Sequence, residues 1–289
     1  MKVENDMLHP APRAPKTIAA VHDISCYGRC SMQAVWPVLS HYGHLVCPLP
    51  TALLSTHTGG FDHFTFLDLG GEMKKILASW REEGLRFDAV YSGFLGSAGQ
   101  IGTVLSLIED QPGALVLVDP VMGDCGEIYK TYTPEMCELM HRLCARADII
   151  TPNLTEACLL AGVPYDPEPD DAAVDALLGR LDGVCRKAAR TIVVTGVRRG
   201  DKIGAACSDT REGDGRTVYR FAPYCSAFFP GCGDLLASIL LAGVLSGECA
   251  ADALGQAVEF ISLVSHKTQR LGTPTREGVV FENELYRLT

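Results

Sequence analysis

What this 289-residue chain lacks narrows its possibilities first. No run approaches the ~18 apolar residues that mark a membrane-crossing helix, so no span is expected. No cluster of Lys or Arg appears. With 25 basic against 35 acidic residues the formal charge is −10, and such a chain does not neutralise a row of phosphates, so nucleic acid is not an expected partner. A small anion is still an admissible ligand, because backbone amides bind one locally whatever the net charge. The opening "MKVENDMLHPAPRAPK" has no apolar stretch of the kind a secretory signal carries. Its prolines point to a flexible arm over residues 1–15. None of the 12 cysteines forms a CxxC pair, so the spacing of a zinc or dithiol site is missing. A chain this long is not a small disulfide scaffold either. Most of the cysteines read as small buried hydrophobes in a reducing cytoplasm. There is no GxGxxG opening a βαβ unit and no GK[ST]. Repeats, low-complexity tracts and Pro/Gly/Ser linkers are also missing, so residues 16–289 read as one domain.

What is present is an alternation of apolar runs and amphipathic stretches. Strands are predicted at 17–22, 44–50, 87–94, 114–120, 147–153 and 191–196. Helices are predicted at 31–43 (with Pro37 a possible kink), over most of 66–84, and at 99–110, 133–145, 154–162, 170–189, 232–245 and 250–270. Segments 203–209 and 217–223, separated by "REGDGR", read as a hairpin pair at one edge. Apolar strands alternating with helices imply a three-layer α/β/α sandwich, with a mostly parallel central sheet covered on both faces. Ligands bind at the carboxyl ends of such strands. Those ends read "HDISCYG", "SGFLGS", "DPVMGD", "TPNLTE" and "TGVRRGD", five clusters of glycine, hydroxyl and carboxylate.

"GCGDLLASILLAG" opens a helix with two glycines around Cys232. Gly231 and Gly233 let a ligand approach the main chain, and the helix start presents unpaired amides and the positive dipole end. The same residues would also serve as a glycine-rich cap, with Asp234 in the first turn for its charge alone. "DPVMGD" places Asp119 at a strand end and Asp124 beyond a glycine. Two carboxylates on a loop suit a hard cation such as magnesium, and they also suit a turn. In "TPNLTEA", Thr151, Asn153 and Glu156 read equally well as a ligand-binding loop or as a helix cap. "STHTGGF" and "HDIS" add His57, Thr58, His22, Asp23 and Ser25, but no Ser–His–Asp assignment follows from their spacing.

Taken together, "STHTGGF", "YSGFLGS", "VDPVMGDCGEIY", "TPNLTEACLL", "IVVTG" and "GCGDLLASILLAG" resemble, in that order over residues 17–280, the pyridoxal kinase family of the ribokinase-like superfamily. The resemblance implies ATP-dependent phosphorylation of the 5′-hydroxymethyl group of pyridoxal, pyridoxine or pyridoxamine, and a homodimer in the cytoplasm. It implies Asp234 as catalytic base, with Gly231, Cys232 and Gly233 as an amide cradle for the phosphoryl group. Asp119 and Glu156 would stand near Mg2+ and the phosphates, with Asp124 in a mobile loop beside ATP. Thr151, Asn153, Thr195 and Gly196 would line the nucleotide side, and Asp23, Thr58 and Phe94 the pyridine pocket. A monovalent cation such as K+ is left open. The later motifs are shared with hydroxymethylpyrimidine kinases, which are the alternative. A non-catalytic vitamer-binding protein is the alternative of another class. The chain departs from many relatives in having Cys232 for Thr and Asp23 for Ser. Asp23 accepts hydrogen bonds but, when ionised, does not donate them. Cys232, at a helix N-terminus, is expected to have a lowered thiol pKa.

Overall fold

Strand β1 (Thr17–Ser25) is buried along almost its whole length and lies in the interior of a nine-stranded sheet. The computed structural model describes residues 14–130, 132–185, 187, 190–211 and 214–288. The expected N-terminal arm therefore falls almost wholly outside the described residues. After β1 come α1 (Met32–His41), β2 (Leu45–Leu54), β3 (Phe66–Asp68), α2 (Gly70–Glu82), β4 (Ala89–Ser92), α3 (Ala98–Asp110) and β5 (Leu115–Val118). A two-stranded hairpin follows, β6 (Gly123–Asp124) and β7 (Glu127–Ile128), and then α4 (Pro134–Cys144), β8 (Ile149–Ile150), α5 (Leu154–Ala161) and α6 (Asp171–Val184). The chain continues through β9 (Thr191–Arg199), β10 (Lys202–Asp209), β11 (Thr217–Pro223), α7 (Cys232–Leu245) and α8 (Ala250–Leu271), with two short 3-10 turns at the end.

The sheet order is β11-β10-β9-β8-β5-β4-β1-β2-β3. The six strands from β9 to β2 are parallel, while β3, β10 and β11 add antiparallel edges. One apolar cluster packs α2–α6 on one face, and a second packs α1, α7 and α8 on the other. This is the expected α/β/α sandwich with the expected edge hairpin. The order also fixes where a ligand belongs. From β1 the chain first winds to β2, then returns to β4 on β1's other side, so the crevice between the carboxyl ends of β1 and β4 is the topological switch point.

Several boundaries differ from the sequence reading, each for a local reason. β2 runs on past Pro48 and Pro50 to Leu54, because its register with β1 continues and β3 then pairs with residues 52–54. β3 itself occupies the start of a stretch read as helical. β8 shrinks to two residues, since the chain turns after Thr151 into the cap of α5. β9 does not stop at Gly196. The ladder to β10 pairs Gly204 with Val197 and Ala205 with Thr195, leaving Gly196, at φ 79°, as the extra residue of a bulge.

Candidate active site

The start of α7 is set by steric demand. Gly231 is its N-cap at φ 86°, and a Cβ there would fall within van der Waals contact of the Arg29 carbonyl oxygen, at 2.0 Å. Only glycine fits. From Leu235 to Gly243 every residue of α7 is buried, so this helix is a fixed central rod rather than an amphipathic cover. Its N-terminus points its unpaired amides into the switch-point crevice, with Asp234 in the first turn.

Asp234 is held from the β1 side. The Ser31 amide donates to its Oδ2 at 2.8 Å, and the Cys30 thiol lies 3.6 Å from the same oxygen. His22, fully buried within β1, puts Nδ1 3.9 Å from Oδ1. The His22 ring meets Tyr91 edge to face with centroids 4.4 Å apart, and it occupies the space a Cβ on Gly93 would need. Burial drives the His22 pKa down to about 3, so the ring is neutral. Burial raises the Asp234 carboxyl to about 6, with the Ser31 amide pulling the other way.

Asp119, directly after β5, is buried on the far side of the same helix start; a Cβ on Gly233 would lie 3.8 Å from its Oδ2. Its carboxyl is pushed well above the ordinary range by burial and then by the charge of Asp234. Thr151, one strand further along, is buried, and its hydroxyl beside Asp119 pulls that carboxyl's pKa the other way.

Glu156 is where the sequence left two readings open, and the cap is real. Asn153 Oδ1 accepts from the Glu156 amide at 3.0 Å, and Glu156 Oε2 accepts from the Asn153 amide at 2.8 Å, a complete capping box. Glu156 Oε1 also accepts from the Met122 amide at 3.1 Å, and Asn153 Nδ2 donates to the Gly123 carbonyl at 2.9 Å. The box thus ties the loop after β5 to α5. Burial and the Asp119 charge raise the Glu156 carboxyl well above its usual range.

Asp124 lies in the small hairpin rather than on an open loop. Cys125 (φ 51°) and Gly126 (φ 82°) form its two-residue turn, the conformation of a type I′ hairpin. The Gly126 amide donates to the Thr155 hydroxyl at 2.9 Å. Thr195 is joined to this neighbourhood by a bridge to Asn153, its amide donating to the Pro152 carbonyl at 2.9 Å, and the bulged Gly196 beside it is exposed. On the opposite side, Asp23 is buried with Ser25 Oγ donating to it at 2.9 Å; burial raises its pKa. Phe94 is half-buried beyond β4, and Thr58 is exposed.

Cys232 corrects an expectation. Its side chain packs against the apolar cluster under α7, and burial pushes its thiol up to about 12, the opposite of the predicted lowering. Desolvation of the thiolate outweighs the helix dipole here. All 12 cysteines are free. Five are buried, four half-buried, and Cys26, Cys125 and Cys249 exposed.

Ser31, Cys30 and Arg29 were not singled out in sequence. Ser31 contributes a backbone amide, which no side-chain pattern announces. The unusual φ of 52° and ψ of −129° that aims it has no signature in a residue that is not glycine.

A family model described as phosphomethylpyrimidine kinase matches residues 38–277. Among solved structures, a Bacteroides thetaiotaomicron protein provisionally named a phosphomethylpyrimidine kinase, crystallised with pyridoxal, is 38% identical with a TM-score of 0.86, covering 95% of this chain and 96% of its own. Pyridoxal kinase from Lactobacillus plantarum is 31% identical with a TM-score of 0.89, over 95% and 97% of the two chains. Pyridoxal kinase of Arabidopsis thaliana is 30% identical, covering 72% of this chain and 67% of its own length. Among the described residues no helix is long and apolar enough to cross a membrane.

Proposed function

The chain belongs to the phosphomethylpyrimidine kinase family, and from that membership we propose that it is a pyridoxal kinase, transferring the γ-phosphoryl group of ATP to the 5′-hydroxymethyl group of pyridoxal, pyridoxine or pyridoxamine. The observation that carries this reading is Asp234, a carboxylate held by the Ser31 amide in the first turn of a helix whose free amides face the switch-point crevice. The relatives point to pyridoxal as the acceptor alcohol.

Phosphoryl transfer is chiefly positioning and charge stabilisation. Asp234 accepts the hydroxyl proton. A base of pKa about 6 is ionised at neutral pH yet basic enough to hold the proton once it moves. The amides of Gly231, Cys232 and Gly233 would hold the transferring oxygens, a role that needs no hydroxyl at position 232. Asp23, Thr58 and Phe94 would line the vitamer side. Thr151, Asn153, Thr195 and Gly196 would line the nucleotide side, with Asp124 on the hairpin beside ATP.

Magnesium, held near Asp119, would supply the positive charge that offsets the negative charge developing on the transferring phosphoryl group. Asp119 suits it, being a buried carboxylate that Asp234 discourages from ionising alone. Both Glu156 oxygens already accept backbone amides, so Glu156 would act on the metal mainly through its charge and the loop it holds. Among the described residues no group of three or more His, Cys, Asp or Glu could hold a metal by itself, so a magnesium ion here would need waters and substrate phosphates in its shell. K+ dependence is tested by exchanging K+ for Na+ at fixed Mg2+. The reducing cytoplasm suits a chain with 12 free cysteines. A homodimer is supported by the exposed Phe66 and Leu67 on edge strand β3, and light scattering checks it.

The decisive experiment is a panel of pyridoxal, pyridoxine, pyridoxamine and hydroxymethylpyrimidine with ATP consumption as the readout. Turnover of the three pyridines is expected. Turnover of the pyrimidine alone would assign the alternative alcohol, and vitamer binding without turnover would make the protein a non-catalytic binder.

A further inference from the structure

The segment Pro274–Glu282, beyond α8, runs back to the active-site end of the sheet and touches both sides of the crevice. Its Arg276 carbonyl lies 2.7 Å from His57 Nε2. His57 Nδ1 accepts from the Gly59 amide at 3.1 Å, which fixes the tautomer with the proton on Nε2, donating to that carbonyl. The Arg276 guanidinium sits over the Phe61 ring, 5.0 Å from its centroid. The "STHTGGF" loop is thus fastened to the segment at both ends.

The same turn holds the opposite loop. The Arg29 amide donates to the Glu277 carbonyl at 3.0 Å, and Arg29 Nε donates to Glu282 Oε1 at 2.6 Å. The Tyr27 hydroxyl donates to Glu277 Oε1 at 2.9 Å. Arg29 is also clamped between two glycines: a Cβ on Gly231 would meet its carbonyl oxygen, and one on Gly278 would stand 2.9 Å from its Cβ. Two residues on, Ser31 delivers its amide to Asp234 from a strained backbone conformation that needs outside support.

We propose that Arg29 is a positioning residue for the phosphoryl transfer: tied to Glu277 and Glu282 of the C-terminal segment, it holds the loop that aims Ser31 at Asp234, and it does so on the same frame that holds the vitamer loop through His57. An ion pair this exposed, 27% for Arg29 and 47% for Glu282, contributes little to global stability. Its effect is on placement.

The inference rests on the kinase reading for its kinetic arm, so the test has two arms. Amide hydrogen exchange on the unliganded protein needs no substrate. Arg29→Ala and Glu282→Gln should speed exchange of the Ser31 amide and of residues 55–61, with the unfolding midpoint moved by less than about 3 °C. In turnover, both variants should lose about tenfold in kcat while KM for ATP stays within about twofold. The exchanged pair Arg29→Glu with Glu282→Arg should recover part of the loss. Unaltered exchange at Ser31 would overturn the proposal whatever the enzyme's substrate. So would exchange rising uniformly along the chain together with a large fall in the unfolding midpoint, the mark of a merely structural contact. If wild-type protein phosphorylates no vitamer, the functional reading fails while the exchange arm still decides the role of Arg29.

Discussion

The backbone amide of Ser31 donates to Oδ2 of Asp234 across 2.8 Å, joining two residues 203 positions apart in the chain. Ser31 reaches it at φ 52°, a conformation costing about 1–3 kcal/mol in a residue that is not glycine. That cost is placed where it orients the carboxylate at the helix start. Asparagine at 234 would keep an oxygen for the Ser31 amide and lose only the proton acceptor. Asp234→Asn is therefore expected to cut kcat by about 10²–10⁴ and to leave calorimetric ATP affinity within about twofold. Wild-type kcat/KM should fall as pH drops through about 6, where Asp234 takes up a proton, and the variant should lose that limb. Wild-type-like turnover in the variant would remove Asp234 from the base role.

Asp119 gives a stability prediction of defined sign. Its folded carboxyl binds a proton more tightly than in the unfolded chain, because it is buried beside Asp234. From about pH 4 upward the folded state holds more protons than the unfolded one, so stability falls as pH rises until Asp119 has ionised. Asp234 adds to the decline up to about pH 6. Without magnesium or nucleotide, Asp119→Asn should unfold a few degrees higher than wild type at pH 8, at about 2–4 °C per kcal/mol for a large domain, with little difference at pH 4. Its turnover should nonetheless collapse. Differential scanning calorimetry across that range checks the slope, and equal midpoints at pH 8 would contradict it.

How much of this was legible in sequence follows from what each residue contributes. The layers were readable because the apolar strands and helices carry their own periodicity, and Asp119 and Asp234 were readable because strand ends and a glycine-flanked helix start are local features. The capping box of Asn153 and Glu156 was readable as a cap, though its second task, gripping Met122 and Gly123, needs the tertiary structure. Illegible were contacts made by backbone groups and by distant segments: the Ser31 amide, the His57–Arg276 carbonyl contact across 219 positions, and the Gly196 bulge, visible only in the register with β10. Cys232 shows the limit of a local rule. Its place at a helix N-terminus predicts an acidic thiol, and the apolar cluster beneath it reverses the sign.

That reversal is testable by labelling. A thiol pushed up to about 12 by burial stays protonated and unreactive at neutral pH. Iodoacetamide should modify the exposed Cys26, Cys125 and Cys249 before Cys232, as read by peptide mass spectrometry. Cys232→Ala should retain turnover within about threefold, since the role proposed for position 232 is carried by its backbone amide and needs no side chain. Fast alkylation of Cys232 in the folded protein would contradict the burial argument.

The two glycines of "GCGD" should fail in different ways. A methyl at 231 meets the Arg29 carbonyl oxygen and demands φ 86° of a residue with a Cβ. Either Arg29 and the Ser31 amide move or the helix start does, and Gly231→Ala should lower stability by several kcal/mol as well as abolish turnover. A methyl at 233 meets nothing beyond its own helix closer than the Asp119 carboxylate at 3.8 Å, an ordinary contact. Gly233→Ala should therefore fold with a denaturation midpoint near wild type. If the helix start binds the phosphoryl group as proposed, the variant should still lose about tenfold or more in kcat, because the methyl enters the space beside Asp119. Equilibrium denaturation and steady-state kinetics on the pair separate the two roles. Equal destabilisation by both substitutions would mean that Gly233 serves packing rather than ligand approach.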